Sequence, residues 1–275
     1  MLKPQSECET MMQASGKLLE LDKISMHFGG VKAIDSLSFE LEQGEILGII
    51  GPNGAGKTTV LNVLTGVYIP TAGSIRYKNS VINKMPPHEI INHGIARTFQ
   101  NIRVFSSMNV EENVKVGFVG HTDYNLADMF VGSKNKVNSE QEIGLQAKAL
   151  LEQVGLDKKA KQPASSLSYG EQRRLEIARA LACKPEILLL DEPAAGMNPN
   201  EIDSLNEMIL LVKDKFNLSI ILIEHQMRLI MGICSRILVM NFGKPLACGS
   251  PKEIRNNREV LEAYLGKAFE HEKSR

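Results

Sequence analysis

Residues 46–59 read ILGIIGPNGAGKTT, and the fold follows from how this stretch divides. Ile46–Ile50 is an apolar run of strand length, and such a continuous run marks a strand buried on both faces. It leads directly into Gly51-Pro52-Asn53-Gly54-Ala55-Gly56-Lys57-Thr58, which fits the pattern G-x-x-x-x-G-K-[ST]. A helix is predicted from about Lys57 to Leu64, with Gly66 as its stop. Glycines in such a loop let the backbone wrap closely, so that successive N–H groups point inward at phosphate oxygens. The helix N-terminus adds partial positive charge. Lys57 is placed to reach the outer phosphates of a nucleotide, and the Thr58 hydroxyl to ligate Mg²⁺.

Outward from this unit, Leu18 to Glu42 alternates apolar and polar residues and predicts two half-buried antiparallel strands. Thr71–Val81 reads as a further hairpin. Met108–Val116 is predicted helical behind an Asn109-x-x-Glu112 cap. Gly117–Ser139 is mixed and poorly periodic and reads as a long loop, and Glu140–Val154 returns to helix. Residues 101–170 therefore read as a helical lobe inserted into an α/β core. The core resumes with a helix from Glu171 to about Cys183 and a strand at Ile187–Asp191. A helix at about Asn200–Phe216, a strand at Ser219–Glu224, a helix at Gln226–Gly232 and a strand at Arg236–Asn241 follow. This alternation predicts a mostly parallel sheet. Ser250-Pro251-x-Glu253 combines a capping box with proline at the first helical position. Residues 1–17 and 267–275 read as tails around one domain spanning 18–266.

The chain has 275 residues, with Lys+Arg 32 against Asp+Glu 32, and the zero balance argues against a nucleic-acid partner, whose binding needs a basic excess. No apolar run approaches membrane-spanning length, and the N-terminus has no signal-peptide core. Cys8, Cys183, Cys234 and Cys248 form no C-x-x-C pair, so buried reduced thiols are expected rather than a disulfide framework. The expectation is a soluble intracellular protein whose membrane role, if any, runs through a partner.

Two further segments carry chemistry. Ile187-Leu-Leu-Leu190-Asp191-Glu192 is an apolar strand ending in two carboxylates, and parallel sheets gather ligands at the carboxyl ends of their strands. Asp191 would hold Mg²⁺, directly or through water, and Glu192 would orient and polarise an attacking water. Leu167-Ser168-Tyr169-Gly170-Glu171-Gln172 opens the next helix with a capping box at Ser168 and Glu171. Physics alone leaves two readings open: an ordinary capped helix, or a second anion site built on Ser168, the Gly170 backbone and the helix N-terminus.

These segments together resemble the ATP-binding-cassette (ABC) ATPases. GPNGAGKTT looks like the Walker A loop, LSYGEQ the signature, ILLLDEP Walker B, and His225 the switch histidine, all in the family's order. The resemblance covers roughly residues 18–266. It implies the P-loop NTPase fold of that family, an α/β domain with a mostly parallel core sheet, an antiparallel β subdomain and an inserted helical subdomain. ATP would bind at Gly51 through Thr59 together with Mg²⁺. It implies catalytic roles for Glu192 and His225, adenine stacking on Phe28, and contact of Gln100 with Mg²⁺ or its water. It further implies a head-to-tail dimer in which Ser168, Gly170 and Gln172 serve the nucleotide of a second cassette. At Asn198 much of the family has aspartate, and the loop there loses a charge.

A narrower resemblance rests on MHFGGVKAI, GIARTFQNIRVF, EQRRLEIARAL, DEPAAGMNP, LIEHQMRLIMGICSRI and IRNNREVLEAYLG. These look like the longer ATPase subunit of high-affinity branched-chain amino acid importers. Relatives serving urea, short amides or lipopolysaccharide export, and soluble cassettes without a permease, are the alternatives. The implied partners are a second cassette of the same or a different kind, transmembrane permease subunits and, indirectly, a substrate-binding protein. The implied location is the cytoplasmic face of the inner membrane, held through the permease. Ile102, Val104 and Phe105 alternate as either part of the permease-docking groove or ordinary core. Arg173 and Arg174 are expected to face solvent or to pair with acidic neighbours.

Overall fold

A computed structural model describes residues 16–118 and 134–263, with side chains in the helix after 134 described from 140 onward. Readings that fall on residues 1–15, on 119–133 and on the C-terminal tail lie outside the described residues.

The strands are β1 (Lys17–Phe28), β2 (Val31–Glu42), β3 (Ile46–Ile50), β4 (Ala72–Tyr77), β5 (Ser80–Val81), β6 (Ile95–Arg97), β7 (Ile187–Asp191), β8 (Ser219–Ile223), β9 (Arg236–Asn241) and β10 (Lys244–Gly249). They form an antiparallel sheet in the order β2-β1-β4-β5 and a second sheet in the order β10-β9-β3-β8-β7-β6. In the second sheet every pairing is parallel except β10 with β9.

Strand periodicity decides which core each side chain joins. Leu47, Ile49, Leu189, Ile221, Ile223 and Leu238 point toward the antiparallel sheet, where they meet Leu21, Ile34, Leu37 and Leu41. Ile46, Ile50, Leu188, Leu190, Ile220, Leu222 and Val239 point the opposite way, into a core closed by helices. All five residues of β3, β7 and β8 are buried, as a sheet covered on both faces requires.

The helices are α1 (Lys57–Leu64), α2 (Pro87–Asn92), α3 (Val110–Val116), α4 (Lys134–Gln153), α5 (Tyr169–Ala182), α6 (Pro199–Phe216), α7 (Met227–Ile233) and α8 (Pro251–Asn256). Capping boxes start α3, α5, α6 and α8 at Asn109, Ser168, Asn198 and Ser250. Each satisfies backbone donors that the first turn leaves unpaired. Val110 and Val114 of α3 and Ala147, Leu151 and Val154 of α4 pack with Leu175, Ala178 and Leu181 of α5. Thus α5 is the wall shared by the helical lobe and the sheet.

Five elements depart from the sequence expectation. Helix α4 begins at Lys134, ahead of Glu140, because its first turns carry only Val137 as an apolar residue and so lack a readable period. Lys17 is strand rather than tail. Strand β10 and the short pair α2 and β6 have no counterpart in the sequence reading. Burial pushes the Cys234 thiol up to about 12, with the charge of Glu45 adding to it. Among the described residues no helix is long and apolar enough to cross a membrane.

Candidate active site

The register of the parallel strands places the functional loops side by side. Ile49 of β3 pairs with Ile223 of β8, and Asp191 of β7 pairs with the same Ile223. The residues that follow, Gly51, Glu192 and Glu224–His225, therefore leave the sheet at one edge. Beside them, Thr98 extends β6 by donating its amide to Leu189 O at 2.9 Å, and Gln100 emerges just beyond.

The loop from Gly51 to Gly56 is shaped by close backbone approaches. A Cβ at Gly51 would sit 2.2 Å from Met240 O, and one at Gly56 would sit 2.3 Å from Ala33 O. Both positions also have positive φ, 154° and 98°, which glycine adopts at little cost. Gly56 caps α1 without any side-chain hydrogen bond, so the amides of the first turn remain available to an anion. Lys57 is buried along the loop, and its Nζ donates to Gly51 O at 2.8 Å and Pro52 O at 3.1 Å.

Residues Gly51 through Thr59 line a cleft of about 800 Å³ together with Gln100, Glu192 and His225. Val31, Lys32, Ala33, Phe242 and Ala263 complete its wall. Glu192 has a left-handed backbone, φ 46°, anchored by its amide donating to Ile223 O at 2.8 Å. Its Oε2 accepts from Gln100 Nε2 at 2.9 Å and lies 3.8 Å from His225 Nδ1. The three side chains thus converge on one point facing the Gly51–Gly56 loop.

Asp191 does not line the cleft. Its carboxylate is buried behind it, where Oδ2 accepts from Arg97 Nη2 at 2.7 Å. Arg97 Nη1 donates at 2.7 Å to Asn62 Oδ1 on α1, which ties the strand-end carboxylate to the helix of the phosphate loop. Asp191 Oδ1 is buried with no hydrogen-bond partner among the described residues.

The other sequence-predicted residues lie apart from the cleft lining. Phe28 is exposed at the end of β1 and meets the Tyr68 ring edge-on, at 5.1 Å between centroids. Ser168 caps α5 at the surface, its Oγ accepting from Glu171 N. Gln172 Nε2 donates to Leu167 O at 3.0 Å. Gly170 faces Met197 Cε and Glu201 Oε1, so this turn packs beside the loop that follows Glu192. Asn198 in that loop is the N-cap of α6, accepting from Asn200 N and Glu201 N at 3.0 and 3.1 Å. Val104 packs against the helical core, whereas Phe105 is exposed, with the Arg179 guanidinium 5.3 Å from its ring centre.

For Arg173 the expected acidic neighbour is Glu176, whereas exposure to solvent is not found. Its side chain is fully buried, because it donates to Phe99 O and Gln100 O as well as to Glu176. Arg174 reaches Ser204 Oγ at 2.7 Å. Sequence reasoning also passed over Glu224, which is fully buried. Its Oε1 accepts from Ala194 N at 2.7 Å, and its Oε2 accepts from the amides of His225 and Gln226 at 2.9 and 3.0 Å. It therefore pins the loops carrying Glu192 and His225 to each other. A carboxylate directly after the apolar run at residues 220–223 was the available signal.

The ABC transporter family pattern matches residues 34–195. Together with the architecture and the phosphate loop, this match places the chain in the ABC transporter family, of which it is an ATP-binding cassette. A second pattern, that of the branched-chain amino acid ATP-binding cassette transporter, matches residues 244–270. The high-affinity branched-chain amino acid transport ATP-binding protein LivG of Salmonella typhimurium is 46% identical over 254 residues, covering 92% of this chain and 100% of LivG. Its counterpart BraF of Pseudomonas aeruginosa is 45% identical over 255 residues, with the same coverage of 92% and 100%. Among solved structures, a nucleotide-free ATP-binding cassette from an ABC transporter aligns with TM-score 0.79 at 31% identity, over 90% of this chain and 98% of that one. The ADP conformation of another such cassette aligns with TM-score 0.80 at 30% identity, over 92% and 100%.

Proposed function

We propose that the chain binds and hydrolyses ATP with Mg²⁺ and thereby powers import of branched-chain amino acids through permease subunits carried on other chains. The single observation that carries the hydrolytic part is the convergence of Gln100, Glu192 and His225 on the cleft walled by Gly51–Thr59. Phosphoryl transfer to water needs positioning and charge stabilisation rather than a covalent intermediate, and these residue types supply both. The loop amides and Lys57 hold the phosphates, with Lys57 exchanging two carbonyl partners for phosphate oxygens. Glu192 accepts the proton of the attacking water, while Gln100 fixes its Oε2 and Glu224 fixes the two loops from behind. His225 lies close enough to Glu192 to contact the same water. Phe28 offers a face for the adenine ring.

The residues present suit Mg²⁺. Among the described residues no group of three or more His, Cys, Asp and Glu could hold a metal by itself. Mg²⁺ keeps several waters and phosphate oxygens and needs only one or two protein oxygens, which an orphaned Asp191 Oδ1 and the Thr58 hydroxyl can provide. When bound, with Thr58, Gln100 and Asp191 as its holders, it would neutralise charge on the transferred phosphoryl group.

The branched-chain substrate class is supported by the relatives named for that transport and by the C-terminal match at residues 244–270. Dimerisation with a second cassette, through Ser168, Gly170 and Gln172, and attachment to the cytoplasmic face of the membrane complete the proposal. The test is Mg-dependent ATP hydrolysis by the full chain, with leucine uptake into vesicles holding the assembled transporter. Lys57→Ala should abolish nucleotide binding, whereas Glu192→Gln should bind ATP yet turn over about 100-fold or more slowly. Near-wild-type turnover by Glu192→Gln would remove that residue from its role. Uptake that ignores branched-chain amino acids would overturn the substrate class.

A further inference from the structure

We propose that Arg173 and Glu176 form a buried clamp that positions Gln100, and through it Glu192, from the first turns of α5. Arg173 is 0% exposed and Glu176 2%. Arg173 Nη1 donates to Phe99 O at 2.6 Å and to Glu176 Oε2 at 2.7 Å, and Nη2 donates to Gln100 O at 2.8 Å. Glu176 Oε1 in turn accepts from Phe99 N at 3.2 Å. All polar groups of the Phe99 backbone and the carbonyl of Gln100 are therefore held by two side chains of one helix.

Those backbone groups need partners for a plain reason. The β6–β7 ladder ends at Thr98, whose amide makes the last bond to Leu189. Beyond it the chain turns out of the sheet with part-buried peptide groups that strand pairing no longer satisfies. The Phe99 ring is held as well, with the guanidinium carbons of Arg103 and Arg97 at 4.5 and 5.2 Å from its centre. Gln100 leaves this fixed point with its amide 2.9 Å from Glu192 Oε2.

Stability alone does not explain a charged pair here. Desolvating a guanidinium and a carboxylate is expensive, and apolar residues of similar size often serve a core as well or better. Arg173 Nε is also buried without a partner among the described residues. The guanidinium is thus turned toward the two carbonyls at the expense of its own full pairing. What the pair does, and an apolar pair cannot, is grip a peptide 73 and 74 residues away. Because α5 begins at the Leu167–Gln172 motif, a tilt of this helix against the sheet moves Gln100 and its contact with Glu192. Arg173 and Glu176 are positioning residues for hydrolysis, and this rests on the ATPase reading above.

The test uses the full chain carrying Arg173→Met with Glu176→Leu, which keeps volume and removes both charges. The expected result is a protein that folds with a lowered thermal midpoint, since Phe99 and Gln100 lose partners, an ATP KM within about twofold, and a kcat lowered about 10- to 100-fold. Adding Gln100→Ala should lower kcat little further, because both changes act through one amide. An unchanged kcat in the folded double variant, or losses that multiply with Gln100→Ala, overturns the clamp. If the double variant does not fold, Arg173→Lys keeps the charge but not the fork, and wild-type kcat from it likewise overturns the clamp. Wild-type protein without Mg-dependent hydrolysis would instead overturn the ATPase reading, and the clamp with it.

Discussion

Replacing Arg97 with methionine should destabilise the protein far more than loss of a surface ion pair would. Arg97 and Asp191 have side chains only 6% and 2% exposed and meet at 2.7 Å. The change keeps side-chain bulk but removes donors to Asp191 Oδ2 and Asn62 Oδ1, each 2.7 Å away. Hydrogen bonds to charged groups contribute about 1.5–3 kcal/mol each, and breaking a buried pair from one side costs about 3–5 kcal/mol. The two routes agree on a loss of about 3–5 kcal/mol, most of it the burden of a stranded carboxylate. At about 2–4 °C per kcal/mol for a chain of this size, the thermal midpoint should fall by about 6–20 °C. Urea unfolding followed by circular dichroism measures the first quantity, and a thermal scan the second. Adding Asp191→Asn should restore part of the loss, since it removes the unpaired charge. A loss below about 1 kcal/mol, the range of exposed pairs, would refute the reasoning. So would a double variant no more stable than Arg97→Met alone.

Two further outcomes follow from the caps. Asn198→Ala should cost about 1 kcal/mol, because two amides of α6 lose their acceptor, while Asn198→Asp should be nearly silent or slightly stabilising at the helix N-terminus. An alanine variant as stable as wild type would show that the cap contributes nothing. At the start of α5, the Lys159 ammonium, 2.6 Å away, holds the Glu171 carboxyl below its ordinary value of 4.5; burial opposes this, and the Ser168 amide and hydroxyl assist it. A lowered carboxyl contributes stability that is complete above its unfolded value and is lost as pH falls through the folded one. The stability difference between wild type and Glu171→Gln should therefore be largest above about pH 5 and shrink on acidification. A difference that widens toward acid would contradict this.

Much of the frame is legible because local chemistry and burial coincide in it. β3, residues 187–190 of β7 and residues 220–223 of β8 are apolar runs, and the Asn109, Ser168 and Ser250 caps announce themselves by a partner three residues on. β10 is not legible, since none of its residues is buried and a sheet edge imposes no alternation. α2 buries only Ile90, which leaves no period to detect. The phosphate loop and the pair Asp191–Glu192 stand out because the chemistry lies in consecutive residues. Arg97, Arg173 and Glu224 do not, because each acts on groups 30 to 94 residues away. A charged side chain ordinarily seeks water, and only long-range pairing brings these three inside. Arg173-x-x-Glu176, interleaved with Leu175 and Ile177, was the faint local sign of an internal ion pair.

The bonds from Lys57 to Gly51 O and Pro52 O have a consequence for how nucleotide is received. A glycine-rich loop left to itself samples many shapes, and a ligand would have to freeze them. Here an ammonium already cross-braces the two ends of the loop, so most of that ordering is completed when the chain folds. In the proposed function, incoming phosphate meets a loop already braced and draws Lys57 away from its carbonyl partners. On that reading the lysine works first as an internal brace and then as a ligand.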